Sequence, residues 1–262
     1  MTIPIAVVDA FASAPFTGNP AGVVVTDAPL PEPLMRSIAG EMKHAETAFL
    51  VSGAEAWSLR WFTPEAEVDL CGHATLASAH WLWASGRAHE ATLRFATRSG
   101  VLTAARTADG RIELDFPALA ATQRETDIGL GAALGVTAEE TWWSRFDALV
   151  VVASEADVLA AKPDFRALRA LPVRGVIVTA KTEGELDFVS RFFAPAVGVD
   201  EDPVTGSAHC VLAPFWAARL GRTTLQAAQR SARGGLVGVE VVGQRVKLRG
   251  AAVTVLRGEL TC

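Results

Sequence analysis

Arg60-Trp61-Phe62-Thr63-Pro64, followed by Val68-Asp69, returns 131 residues later as Arg191-Phe192-Phe193-Ala194-Pro195, followed by Val199-Asp200, with no gap in either copy. Arg, Phe, Pro, Val and Asp recur in register. A recurrence at fixed spacing is read before any single motif, because it says that one structural unit is used twice. The surroundings agree. An apolar, strand-like run precedes each copy, at residues 47–51 and 176–180. A segment that is apolar all round follows each, at 74–83 and 206–216, and is predicted to be a buried helix.

Working outward, residues 3–8 and 22–25 read as short strands joined by the turn Phe16-Thr17-Gly18-Asn19-Pro20. Residues 34–42 have helical spacing, and 57–62 form a strand. Strands at 93–95, 101–106 and 112–116 close the first half; those at 237–242, 246–248 and 253–256 close the second. From 116 to about 126 the alternation is lost and polar residues enter, which marks a linker. The expected division is 1–118, carrying Glu46 and His73, and 119–262, carrying Asp202 and Ser207, with the last strand free to return to the first half. Strand-rich halves with one buried helix each define an α+β protein of two pseudo-symmetric units. The cluster Gly129-Leu130-Gly131-Ala132-Ala133-Leu134-Gly135 superficially matches a dinucleotide fingerprint. Its last glycine falls one position late and no strong strand precedes it, so it reads as a glycine-bearing helix.

Composition narrows the function. Half of the 262 residues are hydrophobic and 20% are charged, as in a folded globule. A net charge of −5 and the absence of any Lys/Arg run give no attraction to nucleic acid. The first basic residue is Arg36 and no apolar run approaches ~20 residues, so neither a leader peptide nor a membrane span is expected, and a cytoplasmic location is. The cysteines Cys71, Cys210 and Cys262 are odd in number and lack Cys-x-x-Cys spacing, which fits a reducing compartment and no metal site.

Chemistry-bearing residues gather in the loops before the two buried helices. The first reads Asp69-Leu70-Cys71-Gly72-His73-Ala74-Thr75, the second Asp200-Glu201-Asp202-Pro203-Val204-Thr205-Gly206-Ser207-Ala208-His209. Small residues at a helix start expose backbone N–H groups that suit an oxyanion, whereas ordinary capped helix starts are the plain alternative. Glu46 opens an apolar strand, where partial desolvation favours a general base; a solvated strand-edge glutamate is the alternative. At the repeat offset the second half carries the apolar Ile177, so the halves are specialised.

These segments, together with Asp9-Ala10-Phe11, Pro15-Phe16-Thr17-Gly18-Asn19-Pro20-Ala21 and Glu46-Thr47-Ala48-Phe49, resemble the phenazine-biosynthesis PhzF-like isomerase family, in its order and spacing and over essentially the whole chain. The resemblance implies a diaminopimelate-epimerase-like fold, each half a mixed or antiparallel strand barrel around a central helix, with an active site in the cleft between halves, and a homodimer. It implies a cofactor-independent isomerase in which Glu46 moves a proton between carbons of a small, possibly cyclic, carboxylic acid. His73, Asp202 and Ser207 would assist it, and Asn19, Gly72, Ala74, Thr205 and Gly206 would contact substrate. The chemistry is physically coherent: N–H donors stabilise an anion while a desolvated carboxylate takes the proton.

Neighbouring two-thiol racemases need facing cysteines; Cys71 stands in the first loop, but Asp202 and Pro203 occupy the second. Ala45 replaces the serine often found before the glutamate. Two other functions are weighed: a non-catalytic small-molecule binder retaining the cleft, and a serine hydrolase using Ser207, although Gly-x-Ser-x-Gly is absent. His80 and His209 read as core histidines, His44 and His89 as surface, and the Trp81/Trp83 and Trp142/Trp143 pairs as packing. Gln229 with Arg233-Gly234-Gly235 reads as a hairpin turn with a surface arginine, the alternative being a turn that contacts a substrate anion.

Overall fold

The computed structural model describes residues 2–125 and 127–261; Thr126, at the end of the expected linker, and Cys262 lie outside the described residues. The chain forms two compact units, Met1–Asp115 with Arg249–Cys262, and Phe116–Leu248. Along the chain come β1 (Thr2–Ala10), β2 (Asn19–Thr26), α1 (Glu32–Met42), β3 (Glu46–Val51), β4 (Trp57–Phe62), β5 (Glu67–Val68), α2 (Gly72–Ala84), β6 (Thr92–Thr97), β7 (Gly100–Arg106) and β8 (Ile112–Pro117). They are followed by β9 (Thr122–Arg124), α3 (Ile128–Leu134), β10 (Glu140–Trp143), β11 (Asp147–Val151), α4 (Glu155–Ala160), α5 (Phe165–Arg169), β12 (Gly175–Lys181) and β13 (Phe188–Phe193). After a short 3-10 turn come α6 (Gly206–Leu220), β14 (Thr224–Gln229), β15 (Gly235–Val242), β16 (Arg245–Gly250) and β17 (Ala252–Thr261).

The repeat in the sequence is a repeat of strand pairing. In the first unit β1 is antiparallel to β2, β2 parallel to β3, β3 antiparallel to β4, β4 parallel to β6, and β6 antiparallel to β7. The second unit follows the same series from β10 through β11, β12, β13 and β14 to β15. Parallel neighbours need a crossover. The crossovers from β4 to β6 and from β13 to β14 contain α2 and α6. The expected linker is partly ordered: Thr122–Arg124 pairs with β10, so the stretch is not wholly a loop. The glycine cluster lies in α3, which ends on Gly135 at φ 68°.

Both crossover helices are buried on nearly every side, as apolar and small residues spread all round them require. In the first unit α2 packs against β1, β2, β3, β7 and β17. Its small residues Ala74, Ala77 and Ala79 are fully enclosed, and its hydroxyls turn back on the helix: Thr75 Oγ1 donates to the Cys71 carbonyl and Ser78 Oγ to that of Ala74. α1 covers the opposite face of the sheet, where Met35, Ile38, Phe49 and Phe62 form a second core layer. β17 pairs along the whole of β1. In the second unit α6 packs against β14 and β15, and α4 against β12 and β13.

The repeated Arg-x-Phe is an ion pair laid over a ring. Arg60 donates to both carboxylate oxygens of Glu67 at 2.7 and 2.6 Å, and its guanidinium lies 5.0 Å from the Phe62 ring centre. Arg191 does the same with Glu201 at 2.7 and 3.0 Å, 4.8 Å from Phe193. The second loop is three residues longer than the first, so its acid falls out of the uninterrupted register. With that insertion His73 and Ser207 become equivalent: each is the second residue of its helix. Among the described residues no helix is long and apolar enough to cross a membrane.

Candidate functional site

Glu46 is the first residue of β3, and its backbone lies beside Ala21 in the parallel pairing with β2. Asn19, which opens β2, is fully buried. Gly18 ahead of it has φ 67°, and a Cβ there would also run into the Ala10 carbonyl, so the turn requires glycine. The Glu46 side chain is 19% exposed and that of His73 7%, and His73 Nε2 stands 3.3 Å from Glu46 Oε2. This is a close contact outside the angles of a directed hydrogen bond. Cys71 Sγ lies 3.5 Å from the other ring nitrogen, His73 Nδ1.

Burial pushes the His73 pKa down to about 3, assisted by the charge of His44, so the ring is neutral near pH 7. Glu46, Cys71 and His73 offer ligand atoms all within 4.8 Å of one another. An imidazole gives an ion one nitrogen, and here the sulfur faces one ring nitrogen and the carboxylate the other. The set is therefore shaped as a chain, carboxylate to imidazole to thiol, more than as a chelate. Cys71 is the N-cap of α2 and Gly72 and Ala74 lie in its first turn; the cap residue gives the first-turn N–H groups no side-chain hydrogen bond.

In the second unit the loop before α6 is braced by Gln229, a fully buried side chain at the end of β14. Its Oε1 accepts the Thr205 N–H at 2.8 Å, and its Nε2 donates to the Asp202 carbonyl at 2.6 Å. Thr205 Oγ1 donates to Asp202 Oδ2 at 2.5 Å, and the Asp202 N–H donates to the Phe192 carbonyl at 3.1 Å. The expected hairpin is present, with Gln229 paired opposite Gly235 at the base of the turn, and the Gln229 side chain in addition holds Asp202 and Thr205 in place. Thr205 is the N-cap of α6, again without a side-chain cap, and Gly206 begins the helix.

Ser207 Oγ accepts a hydrogen bond of 2.9 Å from Arg174 Nη2. Arg174 is held in turn by Asp147, through Nε to Oδ1 at 2.9 Å and Nη2 to Oδ2 at 2.6 Å. Asp147 is fully buried; burial raises its pKa and the Arg174 guanidinium opposes that rise. The sequence reading passed over Arg174 and Asp147. The repeat carried one signal, since Arg174 stands 131 residues after the basic Lys43.

His209 is fully buried, its Nδ1 2.8 Å from the Thr205 carbonyl, and burial takes its pKa down to about 4. His80 Nε2 lies 3.0 Å from Thr254 Oγ1. His89 is exposed, whereas His44 is only partly so. Trp83 donates to the Glu90 carbonyl at 2.8 Å, and Trp142 packs edge-on against Phe215.

Two α+β units of matching strand order, each around a crossover helix with an uncapped start, define a protein of the epimerase-like fold. A hydroxyproline epimerase from Agrobacterium vitis shares that fold, with a TM-score of 0.65 at 13% identity, over 99% of this chain and 92% of that one. Residues 8–258 match the model of the PhzC-PhzF family, phenazine biosynthesis-like protein, and the chain belongs to that family. It is 51% identical over 253 residues to an uncharacterized isomerase of Pseudomonas aeruginosa, covering 97% of this chain and 96% of that one. The crystal structure of a PhzF-family phenazine biosynthesis protein from Enterococcus faecalis superposes with a TM-score of 0.97 at 44% identity, over 100% of both chains.

Proposed function

We propose that this protein is a PhzF-like isomerase that moves a proton between carbons of a small carboxylic acid, with Glu46 as the group that takes and returns the proton. One observation carries the reading: a mostly buried carboxylate at a strand start, 3.3 Å from a buried neutral imidazole. A carboxylate so placed has little water to compete with a carbon acid. His73 can hold it in position without adding a fixed positive charge that would quench its basicity. The reading counts Asp202 and Ser207 as further catalytic groups and places the uncapped starts of α2 and α6, with Gly72, Ala74, Thr205 and Gly206, on the side that stabilises the anion. Asn19, buried beside the strand of Glu46, belongs with the substrate-contacting residues. The name of the Pseudomonas aeruginosa relative supports the reaction class. A homodimer and a cytoplasmic location form part of the same proposal.

The test is carbon-bound deuterium uptake. Cyclic and acyclic unsaturated carboxylic acids are incubated with the protein in D₂O and followed by proton NMR. An acid that exchanges with the wild type and loses exchange by roughly 10²-fold or more in Glu46→Gln supports the proposal. Undiminished exchange in that variant overturns it. An acid that binds and raises the melting temperature without exchanging hydrogen would favour a binding protein instead.

A further inference from the structure

We infer that Arg174, locked by Asp147, is a positioning residue that occupies one lone pair of Ser207 Oγ and so turns the hydroxyl hydrogen toward a carboxylate of the substrate. The inference rests on the proposed function for the identity of the substrate but not for the binding it describes.

A guanidinium carries donors only, and a serine hydroxyl has one hydrogen and two lone pairs. Arg174 Nη2 divides its two hydrogens between Asp147 Oδ2 and Ser207 Oγ, so Ser207 is the acceptor in that contact. Its own hydrogen must point elsewhere, and among the described residues no acceptor takes it. The hydroxyl is only partly buried, at the second position of an uncapped helix start. A donor there, beside a guanidinium and the positive end of α6, suits an anion.

The rest of the cradle keeps the guanidinium from swinging away. Arg174 immediately precedes β12, and its N–H donates to the Phe146 carbonyl at 2.8 Å. Its guanidinium lies 5.6 Å from the ring centres of both Phe146 and Phe192. Gly175 follows, where a Cβ would strike the Phe192 ring, so the close packing under the guanidinium depends on that glycine. A bidentate pair to a fully buried carboxylate fixes the plane of the fork, which a lysine would not do. The same geometry speaks against Ser207 as a hydrolytic nucleophile, since the partner on its oxygen has no lone pair to accept a proton.

The probe is benzoate, with neutral benzamide as its isostere, titrated into the intact protein and read from the Arg174 Nε–H and Ser207 amide resonances by NMR. The wild type should show a saturable shift with benzoate and none with benzamide. Ser207→Ala, which uncovers no buried charge, should weaken benzoate roughly tenfold, and Arg174→Lys should do the same. The double variant should be no weaker than either single, because Arg174 acts through Ser207. No saturable benzoate shift in the wild type, equal binding of benzamide, or additive losses would each overturn the inference. Binding needs no turnover, so this subsite and the Glu46 proton transfer fail separately.

Discussion

His73 Nε2 stands 3.3 Å from Glu46 Oε2, and burial keeps that imidazole neutral until the pH approaches about 3. A neutral ring beside the carboxylate contributes no titration of its own to catalysis in the neutral range. The acid limb of the exchange rate against pH should therefore be unchanged in shape in His73→Gln, while the rate itself falls by roughly 10- to 100-fold through lost positioning. Rates of deuterium uptake from pH 4 to 8 for both proteins check this. An inflection near 6.5 that disappears in the variant would assign the titration to His73.

Stability should fall on acidification through the two buried histidines. The folded pKa values, about 3 for His73 and about 4 for His209, lie below the ordinary 6.5, so between these limits the unfolded chain binds more protons than the native one. The contribution is complete above about pH 6.5 and is lost as the pH drops toward the folded values. Each histidine should contribute on the order of 1 kcal/mol per pH unit in that window. Urea unfolding at pH 7, 6 and 5 measures the slope, and His209→Gln should reduce it by about half.

Gln229→Leu should cost about 1–3 kcal/mol, because it strands the buried Thr205 N–H and releases the Asp202 carbonyl. Denaturant unfolding gives the loss. Exchange should fall as well if the loop holding Asp202 is then free to shift.

The two repeated ion pairs should not be equal. The Arg191 side chain is 14% exposed and also donates to the Ala161 carbonyl at 2.9 Å, whereas that of Arg60 is 32% exposed. Arg191→Met should destabilise by about 3 kcal/mol and Arg60→Met by less, since Glu67, although only 3% exposed, keeps Arg98 as a second partner at 2.9 Å. Urea midpoints of the two variants, measured side by side, rank them.

Much of the architecture was legible in the chain. The Arg-x-Phe-x-Pro recurrence and the two helical segments apolar on every face pointed to two units of one design, and the strand pairings of the two follow one series. The short β9 and the helices α3 to α5 were harder, because a strand of three residues or a helix of five to seven has too few residues for a period to declare itself.

The place of Glu46 at a strand start, the small helix starts and the family could all be taken from local patterns, because patterns of spacing and residue type are properties of the chain alone. Which polar groups are enclosed, and by whom, was decided only on folding. Asp147 meets Arg174 across 27 residues and Gln229 meets Thr205 across 24, and the His73 ring is held neutral only because strands and helix together shut out water. Solvation and pairing belong to neighbours in space, and distant segments become neighbours only when the backbone has closed around them.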